Sequence, residues 1–288
     1  MRRRDMRVRT CAGAACVAAL ALAAWTPLAG SPARPLVSRG LPRMVHVPAG
    51  SYLPLYGAAS AARPAGTVRP RVKVGSFDMD VRAVTNAEYL EFVRDHPEWR
   101  RSRVKPLLSD ASYLRHWAGD LELGPNASAT SPVVHVSWFA ARAYLKAAGK
   151  DLPTVDQWEL VAAASATRRD ASRDPQFLEQ LRLWYGRPTP ARLPAVGSGV
   201  RNVYGVSDLH GLIWEWTLDF NSSLVTGESR ADSGLDRTLY CGNGAAGAAD
   251  FDDYAAFMRY AFRSSLEARY NVANLGFRGV KPAQEARR

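Results

Sequence analysis

Eight tryptophans in a chain that also holds 22 Gly and 18 Pro set the terms on which it can fold. Glycine and proline at that density interrupt helices and strands, so long regular elements have little room to form. Trp and Tyr bury large areas at low entropic cost and keep a polar handle, which lets them knit irregular segments together. The sequence therefore predicts a loop-rich domain poor in long helices and strands and held by aromatic packing. With 288 residues and 47% hydrophobic content, the chain suits one such domain better than two small ones.

Local signals place a few elements. Residues 44–56 alternate around a Pro-Ala-Gly turn and read as a hairpin; residues 72–80 read as a further strand. Thr85, with Glu88 three residues on, forms a capping box that starts a helix running to about Arg94. Ser137 caps a helix over 138–148, which Gly149 stops. Thr154 and Gln157 make a second capping box, opening a helix whose Trp158, Val161 and Ala162 share a buried stripe. Asp174-Pro175 reads as the N-cap and first turn of a helix ending near Tyr185-Gly186. The remainder reads as short and irregular.

Residues 1–30 carry a basic n-region (Arg2, Arg3, Arg4, Arg7, Arg9), a short apolar stretch from Cys11 to Trp25, and a small-residue exit, the pattern of a secretory signal. Fifteen apolar residues fall short of a comfortable membrane span. A general secretory route is preferred over a twin-arginine one, and an uncleaved N-terminal anchor is the competing reading. The expected destination is the periplasm or the exterior. Residues 31–43, rich in Pro, Ser and Arg, read as a flexible leader, and residues 44–282 as the folded domain.

Without the signal the net charge falls from +11 to about +7, with no basic run interleaved with aromatics, which argues against a nucleic-acid groove. A mildly basic surface suits solubility or an acidic partner. Cys11 and Cys16 leave with the signal, so Cys241 alone remains and no internal disulfide can form.

Several blocks along the chain share a known pattern. They are Met44-Val-His-Val-Pro-Ala-Gly-Ser-Tyr52, Ala83-Val-Thr-Asn-Ala-Glu-Tyr89, Pro132-Val-Val-His-Val-Ser-Trp138 running through Gly149-Lys-Asp-Leu-Pro-Thr-Val-Asp-Gln-Trp-Glu159, and Tyr204-Gly-Val-Ser-Asp208 with Gly211-Leu-Ile-Trp-Glu-Trp216. The C-terminal Arg259-Tyr-Ala-Phe-Arg263 and Asn274-Leu-Gly-Phe-Arg278 complete the set. In type and order these resemble the formylglycine-generating enzymes, or sulfatase-modifying factors. The resemblance implies an α+β, C-type-lectin-like fold poor in regular secondary structure. It also implies a Cys-x-x-x-x-Cys pair whose positions, counted back without gaps, fall on Asp250 and Ala255. Neither is cysteine, so formylglycine generation is not expected, and the chain reads as a divergent member or pseudoenzyme.

The resemblance further implies a calcium site using the side chains of Asp208 and Glu215 with the carbonyls of Gly211 and Ile213; the alternative is that Glu215 caps a turn and Asp208 is solvated. Copper in the family sits on the missing thiol pair. Cys241 can still hold copper(I) with help from Met258 or a histidine, or serve as a buried small hydrophobe. The five histidines show no short metal-ligand spacing. Around the lost pair, Asp250, Arg259 and Glu267 are the candidate catalytic groups, with Glu267 or Asp250 as general base. The same charges can instead form an ion-pair network that pins the C-terminal segment, and Arg263 and Arg278 match framework positions.

Three functions remain open. The first is a periplasmic enzyme with acid/base or metal chemistry on this scaffold, a divergent oxidoreductase. The second is a non-catalytic binding or regulatory module with a lectin-like surface. The third is an accessory or maturation factor for a periplasmic enzyme, a copper enzyme among the candidates, because stretches around His96 to Trp117 and Asp219 to Tyr260 resemble an exported branch associated with copper nitrite reductase. A protein partner or peptide substrate is expected in each.

Overall fold

The computed structural model describes residues 41–54, 70–221 and 254–283. The predicted signal, Cys241 and Asp250 lie outside those residues. Strand β1 (Met44–Val47) is followed by β2 (Gly50–Tyr52), β3 (Val72–Val74) and β4 (Phe77–Asp80). Helices α1 (Asn86–Asp95), α2 (Trp138–Ala147), α3 (Val155–Ala162) and α4 (Pro175–Tyr185) come next. Strand β5 (Trp214–Glu215), helix α5 (Tyr254–Ser264), and strands β6 (Leu275–Gly276) and β7 (Val280–Pro282) complete the order. This is a mixed α and β arrangement of short elements. Among the described residues no helix is long and apolar enough to cross a membrane.

The expected hairpin at the start does not form. β1 pairs antiparallel with β4 (Met44 opposite Asp80, Val47 opposite Phe77), whereas β2 pairs with β3 (Gly50 opposite Val74). The Pro-Ala-Gly turn sends the chain from one sheet to another. The single strand expected over 72–80 is likewise two, interrupted at Gly75-Ser76. β4 is the central strand of three, with β7 on its other side (Met79 opposite Val280). Both faces of β4 are covered, which is why Phe77, Met79 and Asp80 are all buried. β5 and β6 pair in parallel, Trp214 opposite Leu275 and Glu215 opposite Gly276.

The helices begin where the sequence signals place them. Thr85 accepts from the Glu88 amide while Glu88 returns to the Thr85 amide, and Thr154 and Gln157 repeat the exchange at α3. Ser137 and Asp174 cap α2 and α4. Each such cap stabilises its helix by about 1 kcal/mol. Gly149 sits at φ +65, a left-handed turn that ends the α2 segment at low steric cost.

Aromatic packing supplies the main core. Tyr89 stacks on Tyr144 at 5.7 Å and meets Trp117 and Phe277 edge-on, and all four are buried. The indole N–H groups find partners: Trp117 donates to Asn86 Oδ1, Trp138 to the Thr217 carbonyl, Trp158 to Glu215 Oε2 and Trp216 to the Val136 carbonyl. Each tryptophan thus buries a large ring and ties two distant segments by one hydrogen bond. A second apolar cluster joins Val47, Phe77 and Met79 of the three-stranded sheet to Trp158 and Val161 of α3.

Candidate functional site

Of the residues on which function was expected to rest, helices α3, α4 and α5 and the 208–215 loop gather Arg259, Gly211 and Glu215. On α5, Arg259 and Arg263 are four residues apart, a spacing that puts both guanidinium groups on one face. They converge on Glu159 of α3. Arg259 Nε and Nη2 donate to the carboxylate at 2.8–3.2 Å, and Arg263 Nη1 donates to Oε1 at 2.6 Å. Both guanidinium groups also face the Trp158 ring, at 5.6 and 4.9 Å from its centroid. Burial alone pushes the Glu159 carboxyl up, but the two arginines outweigh it and hold the group down at about 2. Arg259, expected among catalytic groups, is therefore one arm of the ion-pair network that was its alternative reading.

Ala255, at the start of α5, is 3% exposed and packs with Ala171, Phe177 and Leu181. One of the two positions where the thiol pair would fall is thus closed by apolar packing between α4 and α5. Glu267 lies on the surface in an ion pair with Arg269 at 3.3 Å, its side chain 44% exposed, and it lines neither of the cavities described below. The structure does not bring Glu267 to Arg259's carboxylate partner.

His210 closes the other side of this region. Its Nε2 donates to the Ala162 carbonyl at 2.9 Å, so Nδ1 is the acceptor for the Tyr185 hydroxyl at 3.2 Å. The ring stacks on Trp184 and meets Trp158 and Phe177 edge-on. Burial first, and the Arg259 charge second, push its pKa down to about 3. His210 is therefore a neutral imidazole wedged among rings. With Phe177 and Trp184 it walls a cleft of about 210 Å³, whose rim carries Thr167, Gln180 and Asn202. A second cavity, of about 310 Å³, lies between Arg71, Arg168, Asp170 and Arg173.

The four expected calcium ligands are placed as follows. Asp208, in a left-handed conformation at φ +57, accepts the amides of Gly197 and Gly199 and so closes the 197–199 turn. Gly211 is at φ +86 with the Trp184 ring flat against it; a Cβ there would sit 3.0 Å from Trp184 Cγ. Ile213 packs with Ala83, Val134 and Leu193. Glu215 is fully buried, and its two oxygens receive Arg278 Nε and Nη2 and Trp158 Nε1 at 2.7–2.9 Å. Calcium needs six or more oxygen donors, several of them anionic. A carboxylate already neutralised by a buried guanidinium does not offer that, so this donor set does not fit the ion. Among the described residues no group of three or more His, Cys, Asp or Glu is placed to hold a metal.

Sequence reasoning gave no role to Glu159, although two arginines one helical turn apart call for a nearby anion. It also saw no link between His116 and His135, which lie nineteen positions apart in sequence and side by side in the fold, with ring centroids 5.2 Å apart.

Residues 33–283 match the sulfatase-modifying factor enzyme 1-like domain. The chain belongs to this family. A formylglycine-generating enzyme of Streptomyces coelicolor is 31% identical over 92% of this chain and 97% of its own length. A mouse relative, the inactive C-alpha-formylglycine-generating enzyme 2, is 29% identical over 61% of this chain and 68% of its own. The structure of PvdO from Pseudomonas aeruginosa aligns at 17% identity with a TM-score of 0.48, covering 84% of this chain and 95% of that one.

Proposed function

We propose that this chain is an exported accessory or maturation factor, one that uses the family scaffold to hold a peptide segment of a periplasmic partner without oxidising a thiol. The observation that carries this reading is Ala255. Where the family's framework predicts a reactive sulfur, a methyl group is packed against Ala171, Phe177 and Leu181. A methyl group at that point offers no thiol for redox chemistry. The neighbouring cleft keeps the features of a binding site, apolar ring walls with a few polar groups at the rim. The existence of a relative named as inactive supports a scaffold retained for binding. The proposed partner is a copper enzyme of the periplasm, such as a copper nitrite reductase.

Two measurements on the purified full-length chain test this. Incubation with a Cys-x-Pro-x-Arg peptide, copper(I) and oxygen is expected to leave the peptide mass unchanged, and aldehyde formation would overturn the loss of thiol chemistry. Titration against a purified copper nitrite reductase is expected to give saturable binding that Gln180→Arg, at the cleft rim, weakens. Binding unaffected by that change, or no binding, removes the accessory role while leaving the first result intact.

A further inference from the structure

Beyond that reading, we propose that His116 and His135 form a two-imidazole binding site for a zinc-class transition-metal ion. The two rings are neighbours, tilted by 39°, and in each the Nδ1 atom is buried with no hydrogen-bond partner among the described residues. Orphaned polar atoms of this kind are uncommon, and two in adjacent rings point to a shared guest.

The other ring nitrogen explains why His116 Nδ1 presents a lone pair. Asn86 Oδ1 must be an acceptor, because Trp117 Nε1 donates to it at 3.0 Å and the Asn86 Nδ2 donates to carbonyls at 128 and 131. His116 Nε2, 3.3 Å from the same oxygen, therefore carries the proton. His135 shares a hydrogen bond with the Asn271 backbone. A histidine whose distal N–H is held by an amide or carbonyl oxygen is the arrangement that orients imidazole for metal binding. Burial, with smaller effects of His135 and Arg101, lowers His116 to about 4, and burial also lowers His135, so both rings are neutral at physiological pH.

The backbone supports the placement. Leu114 and His135 both adopt left-handed conformations, at φ 46 and φ 53, and the Leu114 amide donates to the His135 carbonyl at 2.9 Å. Such strain at non-glycine residues persists where surrounding contacts enforce it. Here the His135 amide is also fixed on the Val272 carbonyl.

The ring separation suits one ion. A metal about 2.0 Å from each Nδ1 lies about 3.1 Å from each ring centroid. Centroids 5.2 Å apart fall within the roughly 6.2 Å that one shared ion allows. Imidazole suits zinc and its neighbours in the first transition row. Arg101 faces His116, and Arg115 and Asp110 face His135. Asp110 is already engaged by Ser112 and Asn271, so it is not counted as a ligand. The two arginines oppose a bare dication. The remaining positions accordingly go to anionic ligands, hydroxide or a carboxylate or thiolate of a partner, reached through the partly exposed side of His116.

The test uses the full chain labelled with nitrogen-15 histidine and zinc chloride as the only added metal. The Nδ1 signals of His116 and His135 are expected to move together and saturate at one zinc per chain. His210, whose two nitrogens are both engaged, serves as the unmoved control. His116→Gln and His135→Asn, the latter chosen because asparagine tolerates positive φ, are each expected to weaken zinc at least about tenfold without changing the melting temperature of the metal-free protein. No shift at either ring, a shift at one ring alone, or binding indifferent to both substitutions would overturn the site. The wild-type spectrum decides the question even if a variant does not fold.

Discussion

Arg278 and Glu215 form an ion pair in which neither side chain has exposed surface, with Nη2 2.7 Å from Oε1 and Nε 2.8 Å from Oε2. Arg278 also reaches the carbonyls of Asp80 and Ser207, so one guanidinium fastens β4, the 207 turn and β5 together. Removing one partner of such a pair leaves an uncompensated buried charge. Glu215→Gln or Arg278→Met is therefore expected to lower stability by about 3–5 kcal/mol in urea unfolding, the double replacement costing less than the sum.

The same pairing decides what calcium does. Because Glu215 is neutralised by Arg278, adding calcium or removing it with a chelator is expected to leave the melting temperature unchanged. A rise of several degrees with calcium would show that the loop rearranges to expose Asp208 and Glu215 as a ligand set.

Glu159 gives a sign-definite acid response. Its folded pKa, about 2, lies below the 4.5 of an unperturbed glutamate, so protons bind the unfolded chain first. The stabilisation is complete above pH 4.5 and is lost as pH falls toward 2, with a size on the order of 3 kcal/mol. Glu159→Gln is expected to abolish that acid phase and to destabilise the protein at neutral pH, because Arg259 and Arg263 lose their shared anion. Urea midpoints measured from pH 7 to pH 2 on both proteins check this; an unchanged profile in the variant would mean that other groups drive acid unfolding.

How far the sequence disclosed these groups depends on how local their determinants are. The starts of α1 to α4 were readable because a cap needs only Thr85 and Glu88, Ser137, Thr154 and Gln157, or Asp174 and the following turn. The strand pairing was not, since β1 chooses β4 over its immediate neighbour β2 for burial reasons that depend on β7 and α3. Helix α5 was missed because its arginines are stabilised by Glu159, a hundred residues upstream. The family framework was readable from motif order, yet the pairing of Glu215 with Arg278 was not, because the two lie sixty-three residues apart.

His210 extends the acid response to milder pH. Its folded pKa of about 3 lies below the ordinary value of 6.5, so between those limits the unfolded state binds a proton that the folded state refuses. Stability is therefore expected to begin falling once pH drops below 6.5 and to keep falling toward pH 3. The imidazole signal of His210 should stay neutral at pH 5 in the folded protein, and titration near 6.5 would show that the ring is not sealed by Trp184 and Tyr185.

Gly211 links the loop to the cleft. A side chain there meets two separate penalties: φ +86 is disfavoured for any residue with a Cβ, at about 1–2 kcal/mol, and that Cβ would press into the Trp184 ring at 3.0 Å. Trp184 is the wall on which His210 stacks, so its displacement loosens both the ring cluster and the cleft. Gly211→Ala is expected to lower stability by about 2 kcal/mol and to shift tryptophan emission to longer wavelength as Trp184 meets solvent. The acid response of His210 should move upward with it, because a less enclosed imidazole protonates more readily. If stability falls while the emission and the His210 titration stay put, the backbone penalty acts alone and the glycine is not what seats Trp184 against the loop.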